Sequence, residues 1–112
     1  MSDSSEDVPV YVVGNFVIDD AETYRKYEQG FFPQLKKHDG EFITYDDNVI
    51  TLEGDPGIKG RMVLMKFKNE QAALDWYNDP GYQELIGFRR ESTKLNFLAI
   101  QHGMPPRTPK PK

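Results

Sequence analysis

The sequence predicts an α+β domain in which an antiparallel sheet carries two amphipathic helices on one face. Extended runs rich in β-branched and aromatic residues recur along the chain, and segments of helical period separate them. No stretch approaches the roughly 18 apolar residues that a membrane span needs. With 112 residues the chain has room for one domain. Its 38% hydrophobic, 29% charged and 12% aromatic residues are the mixture of a folded globular protein.

The first strand is read at Val10–Ile18, and Asp19-Asp20-Ala21-Glu22 after it has the residue types of a helix N-cap. Tyr24, Tyr27, Phe31 and Leu35 then recur at helical spacing while Arg25, Lys26, Lys36 and Lys37 point elsewhere, which predicts a helix over about 20–38. Pro33 is expected to kink or restart it. Two short extended runs, Glu41–Tyr45 and Val49–Glu53, flank Asp46-Asp47-Asn48 and read as a small hairpin.

A glycine-bearing loop, Gly54–Gly60, leads to a further strand at Arg61–Phe67, and Asn69 can cap the next helix. That helix turns Ala72, Ala73, Trp76 and Tyr77 inward over 70–78. Asp79-Pro80 supplies a cap and a first-turn proline for its continuation to about Ser92, which buries Tyr82, Leu85 and Ile86. Asn96–Gln101 is read as the last strand. The order is βαββαβ, a split βαβ or ferredoxin-like arrangement.

Two helices cover only one face of such a sheet, yet the strands are apolar on both. Val10, Val12, Phe16 and Ile18 oppose Tyr11, Val13 and Val17; Met62 and Leu64 oppose Val63, Met65 and Phe67; Phe97 and Ala99 oppose Leu98 and Ile100. The second face is expected to meet a copy of itself in a homodimer. The ordered domain is expected at 8–103, between a disordered acidic tail at 1–7 and a disordered Pro/Lys-rich tail at 104–112, which alternatively serves as a polyproline II docking peptide.

Read together, Asp20-Ala-Glu-Thr-Tyr24, Gly40-Glu-Phe42, Leu52-Glu-Gly54, Arg61-Met-Val-Leu-Met-Lys-Phe67 and Ala73-Leu-Asp-Trp-Tyr-Asn-Asp-Pro-Gly-Tyr-Gln83, followed by Arg89, resemble the domain of unknown function 1330 (DUF1330) over about 10–101. Lys66 and Gly81 depart from that pattern, where acidic residues are common. The resemblance implies the dimeric α/β-barrel superfamily. That superfamily includes cofactor-independent oxygenases, lactone isomerases and haem enzymes, and DUF1330 itself brings no agreed catalytic set.

The residues themselves nominate one site. Arg89 falls in register with Tyr82, Leu85 and Ile86 on the apolar stripe of the second helix, where a cation needs a partner. It binds a ligand carboxylate, pairs with an internal acid such as Glu53, or extends its stem to water. Around it Tyr24, Tyr27, Trp76, Tyr77 and Tyr82 either pack as core or line a pocket for a flat, partly polar or anionic molecule. Asn15 adds an amide to that cavity or satisfies a backbone group. Glu53 and Arg61, flanking the loop, read as a structural ion pair.

Other chemistry is poorly supported. The net charge of −4 offers no basic stripe for nucleic acid. His38 and His102 have no metal-ligand spacing, no cofactor is indicated, and His38-Asp39 reads as solvated helix capping. Asp46-Asp47-Asn48 reads as turn chemistry. With no cysteine and no Gly-x-Ser-x-Gly elbow, the common covalent hydrolases are disfavoured. The acidic start lacks the form of a secretory leader, so a cytoplasmic location without a membrane partner is expected. Three readings stay open: a cofactor-free enzyme for proton transfer or oxygenation, with a phenol such as Tyr77 or Tyr82 assisting Arg89; a non-catalytic ligand-binding module; and a structural dimer.

Overall fold

The computed structural model describes residues 8–104. The expected tail at 1–7, and all of the expected tail at 104–112 except Met104, lie outside the described residues. The elements are β1 (Val10–Ile18), α1 (Ala21–Lys37), β2 (Glu41–Asp46), β3 (Arg61–Phe67), α2 (Glu70–Asn78), α3 (Pro80–Ser92) and β4 (Thr93–His102). The sheet runs β2-β3-β1-β4 with every neighbouring pair antiparallel. This is the ferredoxin-like α+β fold, with the second helix divided at Asp79-Pro80.

Each helix starts where a side chain can take an orphan amide. Asp20 accepts from the Thr23 backbone N–H, and Asn69 accepts from that of Ala72. Tyr24, Tyr27, Phe31 and Leu35 of α1 meet Ala72, Ala73 and Trp76 of α2, Tyr82 and Ile86 of α3, and the strand residues Val10, Val12, Phe16, Val63, Met65 and Phe67 in one core. Gly30 allows α1 to come close to α3, because a Cβ there would run into the Leu85 side chain. The other sheet face presents Tyr11, Val13, Leu64 and Phe97, none of which belongs to that buried core.

Of the two outcomes expected at Pro33, a kink or a restart, the restart does not occur, and two further expectations need correction. Helix α1 runs through Pro33 without restarting. Pro33 and Gln29 are exposed, so the Gln29 carbonyl that loses its amide partner can turn to water. The hairpin of 41–45 with 49–53 does not form. Instead β2 pairs with β3, and Val49–Glu53 belongs to the irregular 47–60 loop, with Ile50 82% and Leu52 90% exposed. As the end strand of the sheet β2 keeps its outer edge free, but the run does not turn back onto it, because Asp47 is held by Arg61 and Thr51 accepts from the Ile58 amide within the loop.

The last strand also begins three residues before the predicted start. Helix α3 passes straight into β4: the Thr93 hydroxyl donates to the Arg89 carbonyl of the last turn, and the Ser92 hydroxyl donates back to the Phe88 carbonyl. The Ser92 carbonyl in turn accepts from the Asp19 and Asp20 amides. Farther along β4 the register shifts: Phe97 pairs with Asn15, but Leu95 pairs with Phe16, leaving Asn96 as the bulged residue. Leu95 is thereby turned to the helix-covered face, as Leu98 and Ile100 are.

Candidate ligand-binding site

The bonds at the end of α3 set the backbone of Arg89, since its carbonyl is held by the Thr93 hydroxyl at 2.7 Å. Its side chain enters the space between helices and sheet and is only 4% exposed. Two of its nitrogens, Nε and Nη1, are buried without a hydrogen-bond partner. No carboxylate among the described residues pairs with it, although the sequence admitted Glu53 as a partner; Glu53 is exposed. A buried charge left in this state is destabilising until something anionic meets it.

Arg89 lines a cavity of about 240 Å³. Phe16 of β1, Val63 and Met65 of β3, and Leu95 and Leu98 of β4 form its sheet side; Tyr24, Tyr27 and Phe31 of α1 and Tyr82 of α3 form its helix side. Phe32 and Tyr45 also line it and are half exposed, marking its open side. The Tyr27 and Tyr82 hydroxyls lie 2.7 Å apart, one donating to the other. Burial pushes both phenols up from their ordinary value, and the nearby Arg89 charge opposes the rise at Tyr82. Burial also pushes Tyr24 up to about 12. At neutral pH all three phenols are donors and not bases.

A second arginine lines the same cavity but is neutralised. Arg61 Nε and Nη2 reach the two Asp47 oxygens at 2.7 and 3.0 Å, and Glu28 stands at 3.6 Å from Nη1. The expected pairing of Arg61 with Glu53 is therefore replaced by one with Asp47, because the antiparallel register sets Asp46 opposite Met62 and so the next residue, Asp47, beside Arg61. The Arg61 guanidinium also lies 4.4 Å from the Tyr45 ring centre. Its hydrogen bonds, aided by its charge, hold Asp47 below the usual carboxylate range. Alternation along β3 places Arg61 on the Val63 and Met65 face, the signal by which it belongs to the cavity. Glu28 also lines it.

Of the residues nominated from sequence, Arg89, Tyr24, Tyr27 and Tyr82 come together here. Trp76 and Tyr77 do not; with Arg89 they line a separate hollow of about 380 Å³ between α2, α3 and β4. Asn15 lines neither. It is 2% exposed, its amide donates to the Lys59 and Arg61 carbonyls, and its oxygen accepts from Asn96. Its role is to clamp the 57–60 segment and the β4 bulge.

His38 does more than cap. Its Nε2 lies 2.8 Å from Asp79 Oδ2, and Lys37 reaches the same oxygen at 2.9 Å, while Asp79 Oδ1 accepts from the Gly81 amide. Lys37, His38 and the amide together hold the Asp79 carboxyl well below the usual carboxylate range. This clasp joins the end of α1 to the start of α3. Among the described residues no group of three or more His, Asp or Glu is placed to hold a metal ion, and no helix is long and apolar enough to cross a membrane.

A family model described as domain of unknown function (DUF1330) matches residues 9–103. No curated protein matches the sequence. Among solved structures, a protein of unknown function from Rhodopseudomonas palustris is 15% identical with a TM-score of 0.68, covering 92% of this chain and 85% of its own. SnoaB, a cofactor-independent oxygenase from Streptomyces nogalater, is 13% identical with a TM-score of 0.58, covering 92% and 99%. A possible oxidoreductase from Bacteroides thetaiotaomicron is 14% identical with a TM-score of 0.52, covering 86% and 98%. At these identities the likeness is one of fold.

Proposed function

The chain belongs to the DUF1330 family, and from that premise we propose that it binds a small organic anion in the cavity between helices and sheet, with Arg89 as the charge that selects it. One observation carries the reading: a guanidinium 4% exposed, with two nitrogens unpartnered, in a cavity whose other cation is already neutralised. An aromatic and aliphatic lining suits a flat apolar body, and the Tyr27–Tyr82 pair supplies a neutral donor beside the anion.

The enzymatic form of this reading is cofactor-free chemistry on an enolisable substrate, proton-transfer isomerisation or oxygenation of the kind named for SnoaB. In it, Arg89 steadies enolate charge and the Tyr82 hydroxyl, paired with that of Tyr27, hydrogen-bonds the same oxygen without giving up its proton. Glu28 is the one carboxylate among the lining residues and would be the base. The protein in this proposal is a cytoplasmic homodimer joined through the open sheet face. Half-buried Tyr11, Val13, Leu64 and Phe97 on that face support the dimer, and the absence of cysteine suits a reducing compartment.

Arg89→Leu tests the site. Calorimetric affinity for phenylacetate should fall by about 10- to 100-fold, the worth of a charge-assisted hydrogen bond, while the ligand-free melting temperature holds or rises because an uncompensated charge is gone. A collapse in stability with no ligand present would make Arg89 a structural residue and sink the proposal.

A further inference from the structure

Arg89 belongs to two hollows at once. It lines the phenol-rich front cavity of about 240 Å³ and also the rear hollow of about 380 Å³, and the two share Leu95 and Leu98 as well. The guanidinium therefore stands at a junction. Front and rear differ in what else they offer. The front presents the Tyr27–Tyr82 hydroxyl pair, whereas the rear is walled by Val12, Ile100, Leu74 and Trp76, with Tyr77 and the exposed Arg90 also lining it. Trp76 is 1% exposed, and its Nε1–H is buried with no acceptor. Neither hollow alone explains why an unpaired charge sits between them.

We infer that the ligand is an organic anion carrying its charge between two apolar limbs, a ring lying in the front cavity and a second limb passing Leu95 and Leu98 into the rear hollow beside Trp76. A charge at the end of a single limb could use only one hollow. A charged or enolisable carbon bearing substituents on both sides uses both, and an acceptor oxygen on the rear limb would meet the free Trp76 N–H. This rests on the reading that Arg89 binds the anion, and it specifies the shape of what is bound.

Two isomers separate the shapes at equal composition. In 2-phenylhexanoate the carboxylate lies between a ring and a butyl limb, and in 6-phenylhexanoate it ends a single chain. Trp76 is the only tryptophan and lines the rear hollow, while its ring centre lies 4.3 Å from that of Tyr82 in the front wall, so rear occupancy is read as an emission shift beyond the one phenylacetate gives. The branched isomer should bind about tenfold more tightly than phenylacetate, from burial of its butyl limb, and more tightly than its linear isomer by a similar factor, because the linear isomer cannot set its carboxylate at Arg89 with apolar groups in both hollows. The branched isomer should also shift Trp76 emission. Phenylacetate should bind without that further shift. Leu74→Trp, filling the rear from a half-buried position, should bring 2-phenylhexanoate down to the affinity of phenylacetate and leave phenylacetate unchanged by calorimetry. Arg89-dependent binding of phenylacetate with no preference for the branched isomer, or with no Trp76 emission shift beyond that of phenylacetate, overturns the two-limb shape and leaves the anion site standing. If none of the three binds in an Arg89-dependent manner, the anion site itself is wrong and the shape goes with it.

Discussion

Two arginines facing one cavity show how burial and pairing decide a residue's role. Arg61 has its charge answered by Asp47 and Glu28, and Arg89 has none. The carboxyl of Asp79 is the opposite case, an acid met by the Lys37 ammonium, the His38 ring and an amide. Because folding lowers its pKa, the unfolded chain takes up the proton first as pH falls. The clasp's contribution is therefore complete above the unfolded value of about 3.9 and drains away as pH drops through the lowered folded value. Asp79→Asn, which keeps an acceptor for the Gly81 amide, should melt below the parent at pH 7, by a margin that narrows below about pH 4. A margin that is independent of pH would assign the effect to something other than this charge. Arg89 was legible because helical register puts it beside Tyr82 and Ile86. The partner of Arg61 was not, since no local rule says which loop acid returns to a strand's first residue.

The caps at Asp20, Asn69 and Asp79 and the buried faces of α1, α2 and α3 were legible from residue type and spacing, whereas the fate of the 49–53 run and the start of β4 were not. The run at 49–53 has strand composition yet stays outside the sheet, because Asp47 is tied to Arg61 and Thr51 to the Ile58 amide, contacts that no local pattern announces. The segment that follows is fastened by Asn15 to the Lys59 and Arg61 carbonyls and turns at Gly60, whose φ is +82°. A Cβ at Gly60 would also run into the Phe16 carbonyl oxygen. Gly60→Ala should therefore destabilise the protein by about 1–3 kcal/mol, measured by denaturant unfolding. A loss no larger than a surface substitution would show that the 57–60 segment can re-form without its left-handed residue.

At the scale of the molecule, one face of the sheet is covered by helices and the other is not, while the strands supply apolar side chains to both. Light scattering after size exclusion should give twice the 12.9 kDa chain mass at micromolar concentration, and Leu64→Lys, placing a charge at the centre of the open face, should reduce it to one chain. A parent protein that is already monomeric there refutes the shared face. That both faces want cover was readable from the alternation in β1, β3 and β4. The separation of the aromatic residues into two hollows was not, because it depends on how α2, α3 and β4 diverge around Arg89. The bulge at Asn96 has a consequence for how such a strand can change over generations. Thr93 and Leu95 answer to the helix-covered interior, while Phe97 and Ala99, also odd-numbered, answer to the opposite side. The extra residue thus breaks the strand into two stretches whose alternation is independent, so drift in what the interior accommodates at Leu95 need not disturb the surface displayed beyond the bulge.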